Sequence, residues 1–262
     1  MTEYLYIKYR ADQEVAEITL NRPEIGNALH FHMIEELTDA FCHAAQNEKI
    51  RMVLLKGSGK HFCTGADLQW MADIQHPNVL QESMLMAKLF KTIHELPKPT
   101  LAYVQGKCYG GGIGLAAACD FVWAESTASF AFSEVKLGLL PATIAPYILK
   151  RTGYSRAKQL MITAREYIAS EAMKNELVDK IVEFTEFEQE YYLLLNDILR
   201  GGPNAIALVK LLLDILEQPQ YHHEAEDTTA SFIAQARQSD EGIEGMNAFL
   251  QKRKPIWNNA KI

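Results

Sequence analysis

Three consecutive glycines, Gly110, Gly111 and Gly112, interrupt the stretch QGKCYGGGIGLAAACDF and run directly into an apolar segment with helical spacing. Backbone N–H groups at the start of such a helix have no partner within it and can point at an anionic oxygen, which is half of an oxyanion hole. The same glycines also suit a tight turn with positive φ and close packing, and their presence alone does not separate the two uses. Further on, in SFAFSEVKLGLLP, Glu134 lies between an apolar strand and a turn, where one carboxylate can be held beside whatever the glycines bind. A surface carboxylate after an edge strand is the plain alternative for Glu134.

A second donor is available upstream. In KHFCTGADLQWM a strand passes through a loop into a helix, with Gly65 at the sharpest point, and the N–H of Ala66 is exposed by that turn. If the loop folds back toward Gly111, the two N–H groups complete the hole. Asp67 is placed to cap the helix that follows.

Other reactive residue types do not form a site. Cys42, Cys63, Cys108 and Cys119 include no CxxC pair and no zinc-ligand spacing, so reduced thiols in partly buried positions are expected. His30 and His32 flank Phe31, and His222 and His223 are adjacent, neither with the i, i+4 geometry of a helical metal site, so no metal is expected.

Composition narrows the class. The 262 residues are 48% apolar and 23% charged, as in a globular protein near the upper size for one core. With 26 basic and 33 acidic residues the net charge is −7, against a general nucleic-acid or membrane-surface binder. The opening MTEYLYIKYR has no signal or transit pattern and no apolar run approaches a membrane span, so a cytoplasmic protein is expected.

The elements that must position these residues follow from periodicity. Tyr4 to Tyr9 and Val15 to Leu20 read as a hairpin turning at Ala11-Asp12-Gln13-Glu14. NRPEIGNAL then delivers the chain into a helix through about residue 48, and Met52 to Lys56 is a buried strand. A second helix spans Leu80 to Leu96 and stops at Pro97-Lys98-Pro99. Thr100 to Gln105, Gly114 to Cys119 and Phe121 to Ala124 repeat strand, helix, strand, so a repeating ββα unit is expected.

Beyond Pro141 the pattern is helical: Ala145 to Arg151 and Arg156 to Met161 join at Thr152-Gly153, and Glu171 to Glu176 ends with Asn175 as a left-handed cap. Leu177 to Val182 reads as a last strand, and Glu186 to Leu199 as a helix stopped by Gly201-Gly202-Pro203. In the tail, Ala205 to Leu216 is too apolar for a solvated helix and should pack on the core or a neighbour, followed by helices from about Tyr221 to Arg237 and Gly242 to Lys254.

The ordered segments NRPEIGNAL, FCTGADL, VQGKCYGGGIGLAAACDF, FSEVKLGLLP, EAMKNELVDKIV and FLQKRKP resemble the enoyl-CoA hydratase/isomerase (crotonase) family over essentially the whole chain. GLLPATIAPYILKRTG and GADLQWM look most like the branch that hydrates 3-methylglutaconyl-CoA and related branched acyl-CoAs in leucine and acyclic terpene breakdown. The resemblance implies an α/β fold, the crotonase (ClpP-like) spiral of repeated ββα units over residues 1–200, with a C-terminal helical oligomerisation region over 201–262. It implies a homotrimer or dimer of trimers, an acyl-CoA substrate and no further cofactor.

The resemblance also assigns roles. The two family N–H donors to the thioester carbonyl fall on Ala66 and Gly111, and losing one such donor costs about 3–4 kcal/mol of barrier. Of the two family glutamates, the second falls on Glu134, whereas the first falls on Gly114, a departure. CoA-contacting positions fall on Lys60, Ala66, Asp67, Leu68, Phe249 and Lys252, the last two reaching CoA bound by a neighbouring subunit. Family Δ3,Δ2-enoyl-CoA isomerases work with a single glutamate at the Glu134 position, so Gly114 leaves hydratase and isomerase both open. A crotonase-fold trimer that binds RNA is a third possibility, opposed by the acidic balance. The acyl pocket is expected between Trp70 to Met86 and Leu139 to Tyr147, with Lys136 and Lys150 as the cations available to a second substrate carboxylate.

Overall fold

Alternating apolar residues in VAEITL and nearly unbroken apolar runs in MVLLKG and TLAYV mark a half-buried strand next to the sheet edge and buried strands at its centre. The computed structural model describes residues 4–72, 79–218 and 224–258. Its strands are β1 (Ile7–Asp12), β2 (Val15–Leu20), β3 (Met52–Gly57), β4 (Thr100–Val104), β5 (Lys107–Tyr109), β6 (Phe121–Ala124), β7 (Ser129–Ala131), β8 (Glu166–Ile168) and β9 (Lys180–Ile181). The helices are α1 (Phe31–Gln46), α2 (Leu68–Met71), α3 (Val79–His94), α4 (Gly111–Ala117), α5 (Ala145–Thr163), α6 (Ala169–Lys174), α7 (Phe184–Arg200), α8 (Pro203–Leu216), α9 (Ala225–Gln238) and α10 (Asp240–Leu250). The chain forms two compact units, residues 1–96 with 100–188, and residues 97–99 with 189–262.

The first unit holds two sheets. One runs β1-β2-β3-β4-β6-β9, antiparallel between β1 and β2 and parallel thereafter, and the other runs β5-β7-β8. Consecutive strands β4 and β5, then β6 and β7, go one to each sheet, and α4 crosses back between the pairs. This is the ββα spiral of the crotonase fold. Parallel neighbours require crossover helices, and these bury their apolar stripes: α1 through Met33, Ile34, Leu37, Ala40, Phe41 and Ala44, and α3 through Met86, Leu89, Phe90 and Ile93.

In the second unit, α8 begins at Pro203 in the first helical turn, and Glu241 from α10 accepts from the N–H groups of Asn204 and Ala205 at 3.0 and 2.8 Å. No residue of α8 is fully buried, and Leu213 is 62% exposed. Arg253 makes a two-pronged ion pair with Glu244 at 2.6 and 2.7 Å, fixing the segment that follows α10. Among the described residues no helix is long and apolar enough to cross a membrane.

Several boundaries differ from expectation. The first strand starts at Ile7 and continues to Asp12, which pairs with Val15, so the turn is only Gln13-Glu14, with Gln13 at φ 50°. Ladder hydrogen bonds carry the strand through polar residues that periodicity assigned to the turn. The α5 span contains Gly153 at φ 71° and ψ 164°, a break between two helical pieces at the expected place. Asn175 is not left-handed, at φ −89°; Glu176 takes that conformation, at φ 62°. The strand expected over Leu177 to Val182 shrinks to Lys180–Ile181, and α10 ends at Leu250. Cys42 is exposed, unlike the other three cysteines, which are buried. The expected helix start at Tyr221, and His222 and His223, lie outside the described residues.

Candidate active site

The loop carrying Ala66 and the glycine turn face each other. A parallel bridge joins Leu29 to Ala66: the N–H of Leu29 donates to the Gly65 carbonyl at 2.8 Å, and the N–H of Asp67 donates to the Leu29 carbonyl at 2.7 Å. In that geometry the intervening N–H of Ala66 points to the opposite side of the strand. There it meets the glycines: a methyl group built on Gly111 would lie 3.9 Å from the Ala66 nitrogen, and one on Gly65 would lie 3.9 Å from the Gly111 nitrogen. Gly111 is the first residue of α4, so its N–H has no acceptor one turn earlier in the helix. Two backbone donors are thereby directed into one space.

The geometry depends on backbone conformations closed to other residues. Gly65 has φ 106° and Gly110 has φ 48° with ψ −118°, both in regions that L side chains rarely adopt. At Gly110 a methyl group would also stand 3.1 Å from Oε1 of Glu134. The carboxylate therefore rests against the backbone turn that presents Gly111.

Glu134 comes from a short 3-10 turn, Ser133–Leu137, that leaves β7. Its Oε2 is buried with no hydrogen-bond partner among the described residues. Burial pushes the carboxyl above its ordinary value of 4.5, opposed in part by its own backbone N–H. A half-buried carboxylate with one uncommitted oxygen, beside two convergent N–H donors, is a base prepared to take a proton from water or carbon.

Residues of NRPEIGNAL hold the Ala66 loop. The side chain of Asn27 is fully buried; its amide donates to the carbonyls of Ser58, His61 and Phe62 at 2.9, 2.7 and 3.1 Å, and its oxygen accepts from the Arg22 N–H at 2.8 Å. The Arg22 guanidinium reaches the Ala28 carbonyl at 2.7 Å and Asp67 at 3.1 Å. Asp67 uses its other oxygen to cap α2, accepting from the Gln69 N–H at 3.1 Å. The cap by Asp67 is the one expected from the sequence, whereas Asn27 and Arg22 were not singled out there.

Gly114, on which the sequence resemblance places the first family glutamate, has no room for a side chain. A methyl group there would overlap Ile144 Cγ2 and stand 2.8 and 2.9 Å from Cζ and Cε1 of Phe90. Cys63, behind the same loop, is a buried thiol whose burial pushes it up to about 12, which keeps it protonated and unreactive.

Ala66, Gly110, Gly111 and Glu134 line one cavity of about 410 Å³, whose far walls include Leu68, Trp70, Met86, Leu139 and Ile144. The expected pocket segments meet there, except that Tyr147 stays outside the lining. Lys136 and Lys150 are not lining residues; Lys150 Nζ instead lies 3.1 Å from His94 Nε2. Unforeseen in the sequence, Glu82 of α3 enters the wall and accepts from the Trp70 indole N–H at 3.2 Å. Lys60 is exposed on the loop after β3. Phe249 and Lys252 belong to the second unit, Phe249 83% exposed near the end of α10 and Lys252 just beyond it at φ 56°.

Residues 10–260 match the family model described as enoyl-CoA hydratase/isomerase. The enoyl-CoA hydratase AKT6-1 of Alternaria alternata is 33% identical over 249 residues, covering 93% of this chain and 81% of that protein. An enoyl-CoA hydratase structure from Shewanella pealeana superposes with a TM-score of 0.92 at 35% identity, covering 97% of each chain. The structure titled AtuE, from Pseudomonas aeruginosa, gives a TM-score of 0.92 at 32% identity, covering 97% of this chain and all of that one.

Proposed function

The chain belongs to the enoyl-CoA hydratase/isomerase family, and on that premise we propose that it adds water across the 2,3 double bond of an enoyl-CoA thioester. The observation that carries this reading is Glu134: its unpaired Oε2 shares a cavity with the N–H groups of Ala66 and Gly111, and its carboxyl is made more basic by burial. The thioester oxygen accepts from the two N–H groups. Glu134 takes a proton from water as the water oxygen bonds to C3, and the electron pair of the double bond moves toward the carbonyl, giving an enolate. Charge on that oxygen is stabilised by donors already in place. Protonated Glu134 then returns the proton to C2, which restores the thioester and the free carboxylate. One carboxylate and one water balance the reaction.

Isomerisation is the second reading, favoured by the filled space at Gly114. A lone carboxylate suffices to take a proton from C2 of a 3-enoyl-CoA and return it to C4, with a dienolate, its charge on the same held thioester oxygen, between the two transfers. Hydratase names among the relatives tip the choice toward hydration.

The apolar cavity suits a short or branched acyl chain of the kind met in leucine, terpenoid or fatty-acid breakdown. For 3-methylglutaconyl-CoA a cation must meet the second carboxylate, and no Lys, Arg or His is among the described lining residues. A neutral enoyl group is better served. Lys60, Asp67, Leu68, Phe249 and Lys252 are proposed for the CoA moiety, Asp67 through its place in the capped loop since both its side-chain oxygens are engaged. Assembly into trimers is proposed to cover the apolar residues that α8 leaves exposed.

The test is turnover of crotonyl-CoA, 3-methylglutaconyl-CoA and a 3-enoyl-CoA side by side, with products identified by mass. Gain of one water on crotonyl-CoA supports hydration. Conversion of the 3-enoyl-CoA at unchanged mass, without hydration of either conjugated substrate, assigns the isomerase reaction instead.

A further inference from the structure

Glu82 is the one acidic side chain besides Glu134 among the described residues lining the cavity, and the reaction proposed above makes no use of it. It projects from α3 among the apolar groups Leu68, Trp70 and Met86, and the Trp70 indole N–H donates to its Oε1 at 3.2 Å. That bond joins α2 to α3 across 12 residues of chain and holds the carboxylate against this wall. Trp70 lies on the short helix that directly follows Ala66 and Asp67, so the wall carrying this charge is continuous with the loop carrying the oxyanion donor.

We propose that Glu82 selects the acyl group, admitting uncharged chains and rejecting those that end in a second carboxylate. The proposal rests on the acyl-CoA reading of the cavity. A carboxylate at the end of an acyl chain in a space of about 410 Å³ stands within a Debye length of Glu82, about 8–10 Å, where solvent ions screen poorly. Its desolvation among apolar walls adds to the repulsion, and the described lining offers it no cation. A neutral methyl or ethyl end meets neither penalty. Repulsion also operates without any exact placement of the chain end, because it depends on charge and proximity and not on a directed hydrogen bond.

The experiment is calorimetric binding of butyryl-CoA and glutaryl-CoA, saturated thioesters that are neither hydrated nor isomerised, to wild type, Glu82→Gln and Glu82→Asp. Wild type should bind butyryl-CoA about 10-fold or more tightly than glutaryl-CoA. Glu82→Gln should close most of that gap by tightening glutaryl-CoA, leaving butyryl-CoA within about 2-fold, and Glu82→Asp, which keeps the charge, should keep the gap. Equal affinities in wild type, or the same gap in Glu82→Gln, overturn the proposal while leaving the acyl-CoA site intact. Failure of wild type to bind either thioester overturns the acyl-CoA reading and the selection with it. Should Glu82→Gln not fold, Glu82→Ala is read in the same way, and equal wild-type affinities overturn the proposal by themselves.

Discussion

Ile144 fills the space that a side chain on Gly114 would need. Its Cγ2 overlaps the site of a Cβ there, with the ring of Phe90 closing the other side at 2.8 Å. The position to which the sequence resemblance assigns the first family glutamate is occupied by apolar packing between α4, α3 and the start of α5. The proposed mechanism therefore assigns proton transfer to Glu134, and the consequences can be measured.

Restoring a side chain at this position should damage the core. Gly114→Ala is expected to destabilise the protein by about 1–3 kcal/mol through overpacking against Ile144 and Phe90. Ile144→Ala should cost stability alone yet relieve Gly114→Ala, so a double-mutant cycle by denaturant unfolding should show favourable coupling. Additive losses would mean that the two sites are not in contact.

The buried amide of Asn27 ties together the carbonyls of residues 58, 61 and 62, and with them the loop that ends in Ala66. Asn27→Ala leaves those acceptors unpaired, at a cost of about 1–3 kcal/mol in stability. It should also lower kcat by up to the 10²- to 10³-fold associated with one misplaced oxyanion donor, roughly. Retained kcat in a folded Asn27→Ala protein would separate this network from catalysis.

Burial of Glu134 sets a pH dependence with a definite sign. Since the folded carboxyl titrates above 4.5, kcat/KM should fall on the acid side at a pH higher than an exposed glutamate gives. For stability, the protonated form is favoured in the folded state. The contribution of Glu134 is therefore present below the ordinary value and lost as pH rises through the raised one. Melting temperatures of Glu134→Gln should consequently gain on wild type as pH increases across that window; a constant difference would contradict the raised value.

Much of the site was legible before the fold was seen, because it is built from backbone. Gly65-Ala66 and Gly110-Gly111-Gly112 announce themselves by residue type, since few other residues reach their conformations, and Glu134 is the only acid in its apolar segment. Asn27, Arg22 and Glu82 were not legible for an opposite reason. The bonds of Asn27 to the Ala66 loop span 31 to 35 residues and that of Arg22 to Asp67 spans 45, while Glu82 resembles any polar position of an amphipathic helix until α2 is placed against it. Strand ends were misread where hydrogen bonding outran the apolar pattern, as at Asp12, or fell short of it, as at Lys180–Ile181.

The central claim is that Glu134 alone moves the proton of hydration, and the direct measurement is the rate of crotonyl-CoA hydration by wild type and Glu134→Gln under saturating substrate. Wild type should form the 3-hydroxyacyl-CoA, and Glu134→Gln should lose about 10²- to 10⁴-fold in kcat while still binding butyryl-CoA. Hydration that continues unchanged in Glu134→Gln would show that another group carries the proton and would contradict the account.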